Sequence, residues 1–408
     1  EITYGDWSSD VCSSDLLEAG VTIQGHSPLL SGRDLNAYLA AGIESDHEVK
    51  QGDECLEKMR LGMLPLLKKS SYGNMIKRVL ADLKQVPYME IALCTDDVEP
   101  DGIISEGLMD NVLREVIANG VPPAFAYRWA TLNGARHYHL KDQGGIAPGY
   151  LADILLLSSM EEVRVCDVFA NGKLVVQNGK LTTKISEPTV SIDARNTMHF
   201  HSRPTRETFM VKAPIENGKL DVNAIEMREA NLTVLARTSV TVENHYLTLK
   251  GLPDDFCFMS VVPRHGQPHP AQTVLLGGLR MRRGTLAATV AHDSHNLLVV
   301  GHNPDDMLLA ALELEKCGGG ILFADGGKVL GKLELPVAGL MSPKSVAELA
   351  EENAVMNRIG REWGIQDESP ILSIAGLALL VIPEVRISDT LGLFDTIHQK
   401  AIPLFPDR

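Results

Sequence analysis

The sequence predicts an α/β protein that opens on a parallel sheet, continues into a small all-β segment and ends in an α+β region. Three observations carry this. From Val21 to Asn133, short apolar runs alternate with amphipathic stretches, the pattern of repeated strand–helix units. From Gly145 to about Leu181, glycine turns punctuate short β runs. Beyond Pro204, strands and helices mix without that regular alternation, in a chain of 408 residues with 44% hydrophobic and 22% charged side chains. This is a globular composition, and the length suits two or three domains.

Taken in order, Val21–Gly25 reads as the first strand. Ser31 offers an N-cap to a helix over Asp34–Ala41, and Gly42 stops it. Ile43–Asp46 is the second strand, and Glu54–Gly62 its helix, with Leu56 and Met59 one turn apart on the apolar face. Leu64–Leu67 is a weaker third strand because Pro65 interrupts it, and Met75–Leu83 is the helix after it. Tyr88–Cys94 is the fourth strand, followed by a long helix over Gly107–Ala118 that ends at Gly120. Pro122 then opens a helix to about Leu132. Four such units are half of what a closed eightfold barrel needs at about 30 residues per unit. Ala152–Leu157, Val163–Val168 and Gly172–Val176 form the all-β segment, and Ser186–Arg203 is a polar connector. In the last region Leu232–Thr238, Phe258–Val262, Leu297–Val300 and Ile321–Ala324 read as strands, Asp305–Lys316 and Val346–Trp363 as helices.

Charge narrows the function classes. Lys and Arg number 38 against 53 Asp and Glu, a formal charge of −15. A surface this acidic repels phosphate backbones and anionic lipid, which argues against nucleic acid and membrane partners. No run of 18 apolar residues is present, and the first residues lack the basic-then-apolar order of a signal peptide. Six cysteines (Cys12, Cys55, Cys94, Cys166, Cys257, Cys317) show no CxxC spacing, which argues against a zinc ribbon or a disulfide framework and points to reducing cytosol. The stretch Asp6–Leu16 (DWSSDVCSSDL) translates, residue for residue, one frame of a common short-read sequencing adapter. Residues 1–16 are therefore read as non-biological sequence, with the authentic protein extending further upstream.

In parallel α/β architectures the C-terminal ends of strands carry the site. The polar residues there are His26 after the first strand, His47 after the second, and Asp96 with Asp97 after the fourth. Two imidazoles and a carboxylate at neighbouring strand ends suit a divalent Zn, Mn or Fe, although a lone His after a strand is more often an ordinary hydrogen-bonding residue. Adjacent strand-end residues point opposite ways, so only one of Asp96 and Asp97 faces such a centre. Glu48 is either an orienting partner for His47 or a plain loop carboxylate. His292, Asp293, His295 and Asn296 form the densest polar cluster, with His302 nearby. No third ligand has diagnostic spacing there, so a hydrogen-bond network is the preferred reading over a metal site. His137 and His139 read as surface or packing residues, and Gly318-Gly319-Gly320 lacks the Lys-Ser/Thr of a phosphate loop.

Four strings carry a resemblance. GHSPLLSGRDLNAYLAAGIESDHE (Gly25–Glu48), LCTDDVEPDGIISEG (Leu93–Gly107), ATLNGARHYHLKDQGGIAPGYLADILLL (Ala130–Leu157) and AHDSHNLLVVGHNPDDM (Ala291–Met307) resemble the adenine deaminase family of the amidohydrolase superfamily, from about Leu17 to the C-terminus. The resemblance implies a (β/α)₈ TIM barrel flanked by a β-sandwich, plus a C-terminal domain. Residues 17–140 would then be the C-terminal half of the barrel, 141–185 a sandwich segment, and 186–408 the C-terminal adenine deaminase domain. It implies His26, His47 and Asp96 as ligands from the fifth, sixth and eighth barrel strands, with Asp97 behind them or on the purine edge. The family's His-x-His pair and bridging Glu would lie upstream of Leu17, leaving this chain inactive alone. The implied reaction is hydrolytic deamination of adenine to hypoxanthine at a binuclear Mn or Fe centre, with Zn an alternative, and with Asp96 and His47 catalytic. A cytoplasmic homo-oligomer in purine salvage comes with it. Lys68-Lys69-Ser70-Ser71 departs from the family's Arg-Glu-Gly-Ser-like string. That departure keeps open a different purine or cyclic amide as substrate, and a non-catalytic half-barrel is the reading from another class.

Overall fold

A computed structural model describes residues 16–71, 73–83, 90–185, 190–195, 197–228, 232–367 and 369–406. The chain divides into two units, Glu1–Glu187 and Pro188–Arg408.

The first unit is built on a mainly parallel sheet. Strands β1 (Ile23–Gly25), β2 (Ile43–Asp46) and β3 (Leu64–Ser70) lie side by side in parallel, β4 (Gly73–Asn74) folds back on the end of β3, and β5 (Ala92–Cys94) pairs in parallel with β3. Helix α1 (Gly32–Ala40) follows β1, α2 (Gly52–Arg60) follows β2, and α3 (Ile76–Asp82) follows the β3–β4 pair. After β5 come α4 (Pro100–Ser105), α5 (Met109–Ala118), α6 (Pro123–Ala130) and α7 (Leu132–His137). Leu67 and Leu93 of the strands pack with Ile76, Val79, Val112, Val116 and Trp129 of the helices in one buried cluster. Such helix-on-sheet layering is what strand–helix alternation produces.

Several sequence expectations are corrected. β3 continues to Ser70 because Pro65 sits at its beginning, paired with Asp46, where its missing donor interrupts nothing downstream. The buried face of α2 carries Glu54, Cys55 and Lys58, while Leu56 and Met59 are only half-buried. The helix expected from Gly107 starts at Met109, since Gly107 takes φ +101° and separates it from α4. Ser31 occupies the N-cap of α1 but makes no side-chain capping bond. The fourth strand begins at Ala92, and Tyr88 and Met89 lie outside the described residues, as do residues 1–15 of the adapter-like segment.

A separate antiparallel sheet follows, made of β6 (Ile154–Leu157), β7 (Val165–Ala170), β8 (Lys173–Gln177) and β9 (Lys180–Leu181). Its hairpins turn through Asn171-Gly172 and Asn178-Gly179, all four with positive φ. Asn-Gly supplies that conformation at little steric cost. None of these strands has a fully buried residue.

The second unit begins at α8 (Ile192–Arg195) and is organised around a nine-stranded sheet. Its members are β10 (Gly218–Met227), β11 (Thr233–Glu243), β12 (Tyr246–Thr248), β13 (Cys257–Val262), β14 (Gln272–Gly277), β15 (Thr285–Ala288), β16 (Leu297–Gly301), β17 (Gly320–Asp325) and β18 (Lys328–Glu334). The order is β12-β11-β10-β14-β13-β16-β15-β17-β18, antiparallel except between β10 and β14. Successive residues alternate between two cores. Leu298, Val300, Ile321 and Phe323 face Met356 and Trp363 of α10 (Val346–Trp363), whereas Val299, Leu322 and Ala324 face Met307, Ala310 and Leu314 of α9 (Pro304–Cys317). A sheet covered on both faces needs uninterrupted apolar strands, which is how β13, β16 and β17 read. A small sheet of β19 (Val385–Ser388), β20 (Gly392–Asp395) and β21 (Lys400–Ala401) closes the unit. No helix among the described residues is long and apolar enough to cross a membrane.

Candidate metal centre

The parallel sheet of the first unit brings three of the sequence-derived residues together. His26 follows β1, His47 follows β2, and Asp96 stands two residues beyond β5. The His26 and His47 rings meet edge to face with centroids 4.2 Å apart. His47 Nε2 lies 3.8 Å from Asp96 Oδ2 and 3.9 Å from Glu48 Oε1. His26, His47 and Glu48 each offer a donor atom, all within 4.8 Å of one another, and Asp96 joins this set through His47. Asp96 sits in the left-handed region at φ +56°, and its Oδ1 accepts the Asp97 N–H at 2.8 Å. Asp97 itself is exposed.

One cation dominates the electrostatics. The Lys68 ammonium, from the end of β3, donates to Asp96 Oδ2 and to Glu48 Oε1, and Lys50 donates to Glu48 Oε2 at 2.8 Å. Burial alone would raise the Asp96 carboxyl, but the Lys68 hydrogen bond and charge outweigh it and hold the group below the usual carboxylate range. The same contest, won by Lys50 and Lys68, lowers Glu48. Burial lowers His47, and the nearby His26 and Lys68 lower it further, so its ring is neutral and able to ligate at neutral pH. Lys68 is held above the ordinary lysine range because its bonds to Asp96 and Glu48 outweigh its burial.

A divalent cation fits this donor chemistry: two imidazoles, at least one of them neutral, and two ionised carboxylates. Lys69, the next residue, is turned elsewhere, pairing with Glu106 at 3.0 Å and donating to Asn111 Oδ1 at 3.1 Å. Sequence reasoning noted Lys68 only as a departure from a pattern. It missed Asp46, Glu54 and Lys58 entirely, although a Glu and Lys four apart on a helix were a readable signal.

The cluster in the second unit is different. Arg264, 1% exposed, donates its Nε–H to the His295 carbonyl and its backbone N–H to Asn296 Oδ1 at 3.1 Å. Asn296 Nδ2 donates to Asp389 at 2.9 Å, His295 Nδ1 accepts the Ala291 N–H at 3.2 Å, and the His292 N–H reaches the Ala375 carbonyl at 2.9 Å. The His292 and His295 rings are 5.3 Å apart, Asp293 is exposed, and no third donor completes a metal-capable set there among the described residues.

Comparison with known proteins agrees with the two-unit division. Residues 10–175 match the amidohydrolase family model, and residues 230–400 match the adenine deaminase C-terminal domain model. An adenine deaminase from Kosmotoga olearia is 34% identical over 99% of this chain and 69% of its own length. One from Nitratidesulfovibrio vulgaris is 36% identical over 93% of this chain and 65% of its own, and one from Edwardsiella ictaluri 35% over 93% and 63%. The chain thus spans about two thirds of the length of the curated relatives it matches. Among solved structures, an amidohydrolase aligns at 14% identity with a TM-score of 0.34, over 43% of this chain and 49% of its own. On the sequence relationship, the chain belongs to the adenine deaminase family of amidohydrolases.

Proposed function

We propose that the whole protein hydrolyses adenine to hypoxanthine and ammonia, and that this chain supplies one side of the active site. The observation carrying the proposal is the convergence of His26, His47 and Asp96 at the C-terminal ends of parallel strands, within a family whose characterised-by-name members are adenine deaminases. His26, His47 and Asp96 would hold a divalent ion, Mn, Fe or Zn, with Glu48 as a further donor at the same edge. Such an ion supplies Lewis acidity and makes hydroxide available at neutral pH.

The chain's own groups divide the remaining work. Asp96, ionised beside Lys68, accepts a proton from the attacking water and delivers it to the amine leaving C6 of the purine. Water thereby adds its oxygen to C6 and its two hydrogens end on the product ring and on ammonia. His47, neutral, either completes the ligand set or polarises the purine ring. Lys68 keeps Asp96 and Glu48 ionised side by side, which two carboxylates without a counter-charge would resist. A cytoplasmic homo-oligomer acting in purine salvage is the setting this reading carries.

The test is release of ammonia from adenine by the whole protein with His26→Ala and Asp96→Ala. Loss of at least about a hundredfold in rate is expected for each, the scale of a lost acid–base group. Activity near that of the parent would overturn the reading. The Lys68–Asp96 contact favours one second reading, an altered substrate, because an ammonium replaces the family's usual pattern at this strand end. A panel of purines and cyclic amides separates the two.

A further inference from the structure

The two imidazoles sit on different strand-to-helix turns, and one buried carboxylate ties those turns together. Asp46, the last residue of β2, is fully buried. Its Oδ1 accepts the Ser27 N–H at 2.9 Å and the Glu48 N–H at 3.1 Å. Those amides belong to the residues immediately after His26 and His47. Its Oδ2 accepts from the Lys58 ammonium of α2 at 2.8 Å, and Lys58, also fully buried, donates in addition to the Ser27 carbonyl and to Glu54 at 2.6 Å. Glu54 in turn accepts the Leu29 N–H at 2.7 Å and the Lys50 N–H at 2.8 Å, three residues beyond each histidine. Every one of these contacts ends on the backbone of a histidine-bearing turn or on a neighbour within the triad.

We propose that Asp46, supported by Lys58 and Glu54, is a positioning residue that sets the separation of His26 and His47. The inference rests on the metal-centre reading for its functional meaning, and on the shared carboxylate alone for its geometry. A ligand pair must be held to within about 0.5 Å to be productive, and Asp46 bonds the amide directly after each histidine through one carboxylate oxygen, while Glu54 ties the same two turns three residues beyond each. The alternation of a strand explains the choice of residue: the side chain preceding a strand-end ligand points away from the mouth, beneath the turns it joins.

The test uses the 408-residue chain with ¹³C-labelled histidine. In the parent, the His26 and His47 rings should give a direct ring–ring nuclear Overhauser contact, and the Ser27 and Glu48 amides should be protected from hydrogen exchange to a similar degree. Asp46→Asn leaves a single carbonyl oxygen where two carboxylate oxygens served three donors. It should abolish the ring–ring contact and weaken Co(II) binding by about 10–100-fold, the cost of losing an outer partner of a metal ligand. Val116→Ala, a core truncation in the same unit, should leave the ring contact intact, which separates positioning from general destabilisation. A ring contact of parental intensity in Asp46→Asn overturns the proposal. So does free exchange of the Ser27 and Glu48 amides in the parent, a measurement that needs no variant. If the whole protein takes up no Co(II) while the ring contact in this chain still depends on Asp46, positioning stands and the metal reading fails.

Discussion

Lys58→Met offers the largest effect that the structure allows to be worked out beforehand. Lys58 and Asp46 are wholly inaccessible and the Glu54 side chain is 5% exposed, so neither water nor salt can replace the ammonium once it is gone. Met preserves the volume and the buried methylenes, so packing changes little. What remains is two carboxylates in a closed site without a counter-charge. Breaking a buried pair in this way costs about 3–5 kcal/mol, a third or more of a typical domain's stability. With a urea dependence of about 2 kcal/mol/M, the unfolding midpoint of the first unit should fall by about 1.5–2.5 M. Hydrogen-exchange mass spectrometry across a urea series reads this on peptides of β2, α2 and β3, independently of the second unit. Glu54→Gln combined with Lys58→Met removes one of the stranded charges and should recover part of the loss. A single variant within about 1 kcal/mol of the parent would refute the reasoning, because it would mean that the triad is hydrated or uncharged.

Lys68→Met tests the site's electrostatics through pH. The folded-state Asp96 is lowered chiefly by Lys68 against its burial, so the parent gains stability above the unfolded carboxylate range and loses it as pH falls through the lower folded value. Without the ammonium, burial is opposed by the Asp97 N–H and His47 without help from Lys68, the folded-state value rises, and the acid-unfolding limb of the first unit should move to higher pH by circular dichroism; coincident limbs would count against the assigned role of Lys68. Thiol chemistry gives an independent check on packing. Burial pushes Cys55, Cys94 and Cys257 up to about 12, so a thiol reagent at pH 8 should leave all three unmodified until the chain is unfolded, and peptide mapping that finds early label on any of them would contradict the fold around it.

The elements most legible in the sequence were those whose local chemistry and tertiary setting agree. β2 and α10 occupy the ranges read for them, the helix because Ser345 and Glu348 form a capping box at its start and Gly364 ends it in the left-handed region. Reading failed where the tertiary setting overrode local pattern. β10 and β11 pair over ten residues as a long hairpin, yet β10 carries Lys219, Asp221, Asn223 and Glu226 and shows little apolar run to announce it. β15, a buried central strand, is Thr-Leu-Ala-Ala, too small and short to stand out. In α2 the apolar pair Leu56 and Met59 does pack against the core, but only partly buried, and the buried positions include a Glu and a Lys, which can be buried because Asp46 and turn amides satisfy them where unpaired ones cannot be.

The same contrast runs through the site. Strand-end position was enough to single out His26, His47 and Asp96, since a parallel sheet brings the ends of neighbouring strands to one edge whatever the side chains are. Position says nothing about what holds them there. That information is spread over Asp46, Glu54 and Lys58, which in sequence look like a strand-end acid and an ordinary helix-surface ion pair. Their burial becomes intelligible only once the acceptors are traced: Asp46 serves the turns after both histidines, Glu54 serves the same two turns further on, and the Lys58 ammonium bridges the two carboxylates. An acid immediately before a strand-end histidine, followed by Glu and Lys four apart on the next helix, is therefore a sequence pattern with a mechanical meaning. Two loops that carry the candidate ligands His26 and His47 are fastened from beneath by a single shared charge network, and the mouth of the sheet is left to the two imidazoles themselves.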